Sequence, residues 1–218
     1  MAAFIIRWLG RLSAPLVNRL FLKKLSGLDQ VPRSGPYIIA SNHISVPDQW
    51  LIANQIVGRD HRLVSYLARD DFWFTRSWSR LMARLFSALP IDWRVPSAVL
   101  DEAKTVLKDG GVIGIFIEGT RNFDPESLVL GKTGAVRLAL AAHCPIVPVG
   151  YIGPEIVTLL IGSKNLIKRN LASIHFGKPL DFSSYYNQPI TRELLYSLTD
   201  EVMIEIGKLC NKKPRLHI

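Results

Sequence analysis

Apolar residues along this chain recur with two alternating periods. Over residues 1–25, Phe4, Ile5, Trp8, Leu9, Leu12 and Leu16 fall on one stripe, with Arg7, Arg11 and Asn18 opposite, the spacing of an amphipathic helix. Pro15 lacks an amide proton and is expected to break that helix into two pieces. Gly, Asp, Pro and Ser crowd residues 27–35 and separate this arm from the rest. Beyond it, apolar runs at 37–40, 63–68, 87–91, 112–117, 146–151 and 172–177 read as strands. Helical patterns fall between and after them, at 71–86, 95–109, 134–143 and 191–210, and Pro47 followed by Trp50, Leu51 and Ile52 marks another helix start. In the last helix Leu194, Leu198, Val202 and Ile206 share a face. Strands alternating with helices predict an α/β fold: a single domain over residues 27–218 with a central mostly parallel or mixed β-sheet covered by helices on both faces. The N-terminal amphipathic helical arm, residues 1–26, stands apart from it. There is no internal repeat and no low-complexity segment.

Composition narrows the class. The 218 residues suffice for one sizeable core, and 48% hydrophobic against 21% charged residues makes the chain greasier than most soluble domains. Its 27 basic and 18 acidic residues leave +9, a surface that attracts phosphates of nucleic acid or of anionic lipid. No helix rich in Arg and Lys and no aromatic RNA-binding pattern is present, so nucleic acid is not expected as a partner. The arm favours lipid. Its charges leave no uncharged run near the roughly 20 residues that span a bilayer, and Arg7 and Arg11 interrupt what a secretory signal would keep apolar. The alternatives are an interfacial helix with snorkelling arginines and a helix packed on the core. Lys23 and Lys24 extend the basic character and favour the first, which places the protein peripherally or monotopically on the cytoplasmic face of an anionic membrane. Cys144 and Cys210 follow no metal or redox spacing, which suits a reduced cytosolic setting. His61, His143, His175 and His217 are scattered, and no metal site is expected.

Four stretches carry candidate chemistry. Asn42-His43-Ile44-Ser45-Val46-Pro47-Asp48 follows a buried strand, so His43 leaves the strand end while Asp48 sits in the first turn of a helix. A carboxylate there can hold one imidazole nitrogen and leave the other free to take a proton from a hydroxyl. The plain alternative is a core histidine beside a helix cap. Phe116-Ile117-Glu118-Gly119-Thr120-Arg121-Asn122 follows the clearest strand, where active-site groups of open α/β sheets gather. Arg121 can fork a phosphate, Gly119 lets backbone approach it, and Glu118 can accept from a polyol hydroxyl; the alternative is a polar turn with an internal Glu–Arg pair. Arg94, after Leu89-Pro90-Ile91-Asp92-Trp93, is a phosphate ligand or a solvated loop arginine. Pro145 and Pro148 bracket a short strand that can wall an apolar site.

In order, these stretches resemble the blocks of the glycerolipid (lysophospholipid) acyltransferase family, typified by 1-acylglycerol-3-phosphate acyltransferase. Asn42 to Asp48 matches the family's Asn-His, any residue, Ser, two residues, Asp throughout. Phe116 to Arg121 matches Phe-Pro-Glu-Gly-Thr-Arg except that Ile117 replaces the proline. Arg94 fits the arginine of the second block, with Trp93 inserted, and Lys132, Gly134 and the 145–149 run resemble the approach to the fourth. The resemblance covers roughly residues 27–150. It implies transfer of a fatty acyl group from an acyl-CoA or acyl-carrier-protein thioester to the free hydroxyl of a lysophospholipid, with 1-acylglycerol-3-phosphate giving phosphatidic acid. His43 is then the general base oriented by Asp48, and Glu118, Gly119, Thr120, Arg121 and Arg94 bind the glycerol phosphate, with no bound cofactor. A different lysolipid acceptor, a membrane-associated thioesterase or hydrolase using the same His–Asp pair, and a scaffold without catalysis are the competing readings.

Overall fold

The structure is a computed structural model, and it describes residues 2–45, 47–69, 88–91, 96–154 and 171–217. Within these, seven strands form one mixed sheet in the order β1-β7-β6-β2-β5-β3-β4. They are β1 Leu22–Ser26, β2 Tyr37–Ser41, β3 Val64–Arg69, β4 Leu89–Ile91, β5 Val112–Phe116, β6 Ile146–Ile152 and β7 Ala172–Phe176. The run β6-β2-β5-β3-β4 is parallel throughout, while β7 lies antiparallel to β6 and carries β1 parallel to itself. The carboxyl ends of β2, β5 and β6 therefore lie side by side along one edge.

Among the described residues five helices cover the sheet: α1 Ala2–Phe21, α2 Asp48–Asp60, α3 Pro96–Lys108, α4 Gly134–Ala142 and α5 Arg192–Cys210. Helix α2 and Val17 of α1 pack with Tyr37, Ile39 and Val147 on one face; α3, α4 and α5 pack with Ile38, Ile113 and Ile146 on the other. Neighbouring residues of one strand thus serve opposite cores, as a pleat requires, and every residue of β2 is buried. That is why the central strands read as continuous apolar runs rather than as alternations. The α/β sheet covered on both faces is the expected fold. The helix expected over 71–86 lies outside the described residues.

The arm departs from expectation in two ways. Pro15 does not break it: α1 runs from Ala2 to Phe21 with Pro15 inside. Packing against α2 on both sides of the proline keeps one axis. Gly10 lies so close to Val57 that a Cβ would collide with it, and Gly58 lies equally close to Ala14. The Asn18 and Gln55 amides exchange hydrogen bonds of 3.1 and 2.9 Å. Second, residues 22–26 are not arm but an edge strand; Lys23 and Lys24 point to solvent there, so their charges concealed a strand. Trp8, Leu12, Leu16 and Leu20 stay exposed, Leu12 at 73%, while Ala14 and Val17 of the same helix are buried. Among the described residues no helix is long and apolar enough to cross a membrane.

Candidate active site

The chain leaves β2 at Ser41 and enters α2 at Asp48, and the turn between them brings the His43 Nδ1 to 2.8 Å from the Asp48 Oδ2. Asp48 is fully buried, yet neither oxygen lacks donors. Its Oδ2 also accepts from the amides of Ile44 and Ser45, both at 3.0 Å, and its Oδ1 from that of Gln49 at 2.7 Å. A charge out of water is tolerable only when its lone pairs are filled in this way, and the positive end of the α2 dipole adds to it. The His43 side chain is 20% exposed, so the ring is held by a desolvated acid and still reachable. With Nδ1 committed to Asp48, Nε2 is the nitrogen that can accept a proton.

The ring is also fixed by its face and its backbone. Phe116, the last residue of β5, stacks on His43 with centroids 3.8 Å apart and planes within 8°, which fixes the plane of the ring. Glu118 accepts from the His43 amide at 3.3 Å, and the His43 carbonyl accepts from the amide of Asn122 at 2.8 Å. The other Glu118 oxygen accepts from the Asn122 side chain at 3.0 Å and the Val129 amide at 2.9 Å. Glu118 is 2% exposed. Its carboxylate is turned inward, accepts from three protein donors and joins the β2 exit to the β5 exit. The reason lies in the turn, where Gly119 adopts φ +68° and sends the chain back over the strand end. Thr120 and Arg121 follow on the exposed side of that turn, with the Arg121 guanidinium 5.9 Å from the Phe123 ring centroid.

These features coincide with a family signature. The sequence profile of the family described as Acyltransferase matches residues 23–152. The chain belongs to the acyltransferase family. It is 28% identical over 195 residues to the 1-acyl-sn-glycerol-3-phosphate acyltransferase of Bacillus subtilis, covering 88% of this chain and 90% of that one. The human 1-acyl-sn-glycerol-3-phosphate acyltransferase alpha is 31% identical over 130 residues, 58% of this chain and 44% of its own. A solved structure, the 1-acyl-sn-glycerophosphate acyltransferase PlsC of Thermotoga maritima, superposes with a TM-score of 0.62 at 18% identity, over 95% of this chain and 79% of that one, and shows the shared fold.

In this acyltransferase a residue singled out for no role by the sequence supports the dyad. Asn42, fully buried, donates to the Tyr151 carbonyl at 2.9 Å and accepts from the Tyr151 amide at 2.8 Å. Its amide copies a backbone pair and prolongs the β2–β6 ladder one residue past the strand end, directly before His43. Its traces in the sequence are an amide side chain at a strand terminus and its place at the head of the Asn-His block. Gly119, Thr120, Arg121 and Lys132 are exposed together around the loop; a Cβ on Gly119 would lie 2.8 Å from the Lys132 Cε. Arg94 and Trp93 lie outside the described residues. Among the described residues, Ser41, Cys144 and Cys210 are ill placed as nucleophiles: the Ser41 Oγ is buried with no hydrogen-bond partner, and burial pushes the Cys144 thiol up to about 12 and that of Cys210 up to about 11. Neither cysteine supplies a thiolate near neutral pH. His217 and Asp200 pair at 2.7 Å, but that pair ties the chain terminus to α5.

Proposed function

We propose that this acyltransferase esterifies the free hydroxyl of 1-acylglycerol-3-phosphate with an acyl group carried on an acyl-CoA or acyl-carrier-protein thioester, giving phosphatidic acid. The observation that carries the mechanism is the reachable His43 ring bound at 2.8 Å to a fully desolvated Asp48. The acceptor hydroxyl attacks the thioester carbonyl as the His43 Nε2 takes its proton; Asp48 stabilises the imidazolium. Collapse of the tetrahedral intermediate breaks the C–S bond, and the departing thiolate recovers the proton. The names of the relatives support the acceptor.

Arg121 is proposed to hold the acceptor phosphate from the exposed side of the loop. Arg121→Ala should raise the acceptor KM about tenfold or more while kcat falls less, since a charged hydrogen bond to a bound group contributes about 1.5–3 kcal/mol. An unchanged acceptor KM in steady-state assays rules that role out. The same assay with lysolipid omitted separates transfer from hydrolysis: release of free fatty acid at the full rate without acceptor would make the protein a thioesterase.

The outward stripe Trp8, Leu12, Leu16 and Leu20 is proposed to lie in the interface of an anionic membrane, peripherally and on the cytoplasmic face, where the +9 charge adds attraction. Each leucine buried in lipid contributes about 1.5–3 kcal/mol. The double change Leu12→Glu and Leu16→Glu, at sites that touch no core, should therefore abolish co-sedimentation with phosphatidylglycerol vesicles. Retained sedimentation would discard the interfacial placement.

A further inference from the structure

Between α1 and the second half of α2 lies a groove of about 440 Å³, within the size of small-ligand sites. One of the side chains lining it is Asn54, 5% exposed, whose Nδ2 has no hydrogen-bond partner. A buried donor left unmade costs about 1–3 kcal/mol, so a partner for it has to be sought. The neighbours do not supply one. Asn18 and Gln55, which also line the groove, satisfy each other. Arg59 is committed to Asp60 and to the carbonyls of Leu28 and Val31.

What the groove offers is asymmetric. The groove is also lined by the exposed guanidinium of Arg11, which touches His61 at the C-terminal end of α2. The remaining wall is apolar, built by Ala14, Pro15, Leu25 and Leu28. An N–H donor and a guanidinium beside an apolar wall complement one class of molecule, an amphiphile with a phosphate headgroup and a hydrocarbon tail. The exposed Leu12, Leu16 and Leu20 lie on the same helix. Asn54 and Gly58 are six and ten residues beyond Asp48, about 9 and 15 Å along α2 at 1.5 Å per residue, so the groove is separate from the His43 site.

We infer that the α1–α2 groove is a second binding site, taking the phosphate headgroup and first methylenes of a phosphate-bearing amphiphile, with Asn54 and Arg11 as its donors. The site does not depend on the esterification chemistry. Its test is calorimetric titration of the full chain with dihexanoyl phosphatidate below its micelle concentration, with inorganic phosphate and dihexanoylglycerol as probes lacking tail or phosphate. Asn54→Leu and Arg11→Gln should each weaken one binding step about tenfold or more while turnover stays at the wild-type level; Arg121→Ala leaves that step untouched. Both reduced probes should bind at least tenfold more weakly than the phosphatidate. Isotherms of Asn54→Leu and Arg11→Gln identical to wild type overturn the site, and inorganic phosphate binding as tightly as phosphatidate overturns the amphiphile. Should Asn54→Leu fail to fold, Arg11→Gln, an exposed change, decides alone.

Discussion

Replacing His43 by alanine is expected to lower kcat by about 10²–10⁴-fold and to leave the fold and the acceptor KM near wild type. The ring is 20% exposed and contributes one side-chain hydrogen bond and one stacking face, so its loss removes little burial. The backbone groups that position it, the amide held by Glu118 and the carbonyl held by Asn122, remain in any residue at 43. Single-turnover rates with a labelled thioester, beside thermal unfolding of the same variant, check both halves. Turnover within a few-fold of wild type would exclude the ring as general base and favour a non-catalytic scaffold. A large fall in turnover accompanied by unfolding would leave the result to Asp48→Asn, in which an amide replaces an oxygen that three donors share.

The second large effect falls on stability. Glu118→Ala removes the acceptor for the His43 amide, the Val129 amide and the Asn122 side chain at once, and each buried donor left unmade costs about 1–3 kcal/mol. A loss on the order of 3 kcal/mol or more is expected in urea or thermal unfolding, a large share of a domain's marginal stability. Glu118→Gln keeps the shape but places an amide against donors, so it too should destabilise and lower kcat by loosening His43. A phosphate or polyol ligand would behave differently: Glu118→Gln would raise the acceptor KM and leave the unfolding midpoint in place. The two outcomes separate a residue that holds the base from one that holds the substrate.

How much could be read beforehand follows from how far apart the partners lie. The His43–Asp48 contact spans five residues across one strand-to-helix turn, and a local turn is constrained by its own sequence. The continuous apolar runs of β2 and β5 were legible because both faces are covered. Leu22–Ser26 was not, because an edge strand tolerates lysines. Pro15 misled for a related reason: local propensity argues for a break, while contacts from Gly10 to Val57 and from Ala14 to Gly58 on α2 outweigh it.

The sequence by itself determined the α/β class, the imidazole and its acid, and the glycine-bearing turn that carries Arg121, because each depends on periodicity or on residues within one turn of one another. Only the tertiary structure decided that the Glu118 carboxylate faces inward and that Asn42 extends the sheet. Besides its nearer donors Asn122 and Val129, Glu118 meets the His43 amide 75 residues away, and Asn42 meets Tyr151 109 residues away. A hydrogen bond is short and directional, so which donor a side chain meets is settled by the strand laid beside it.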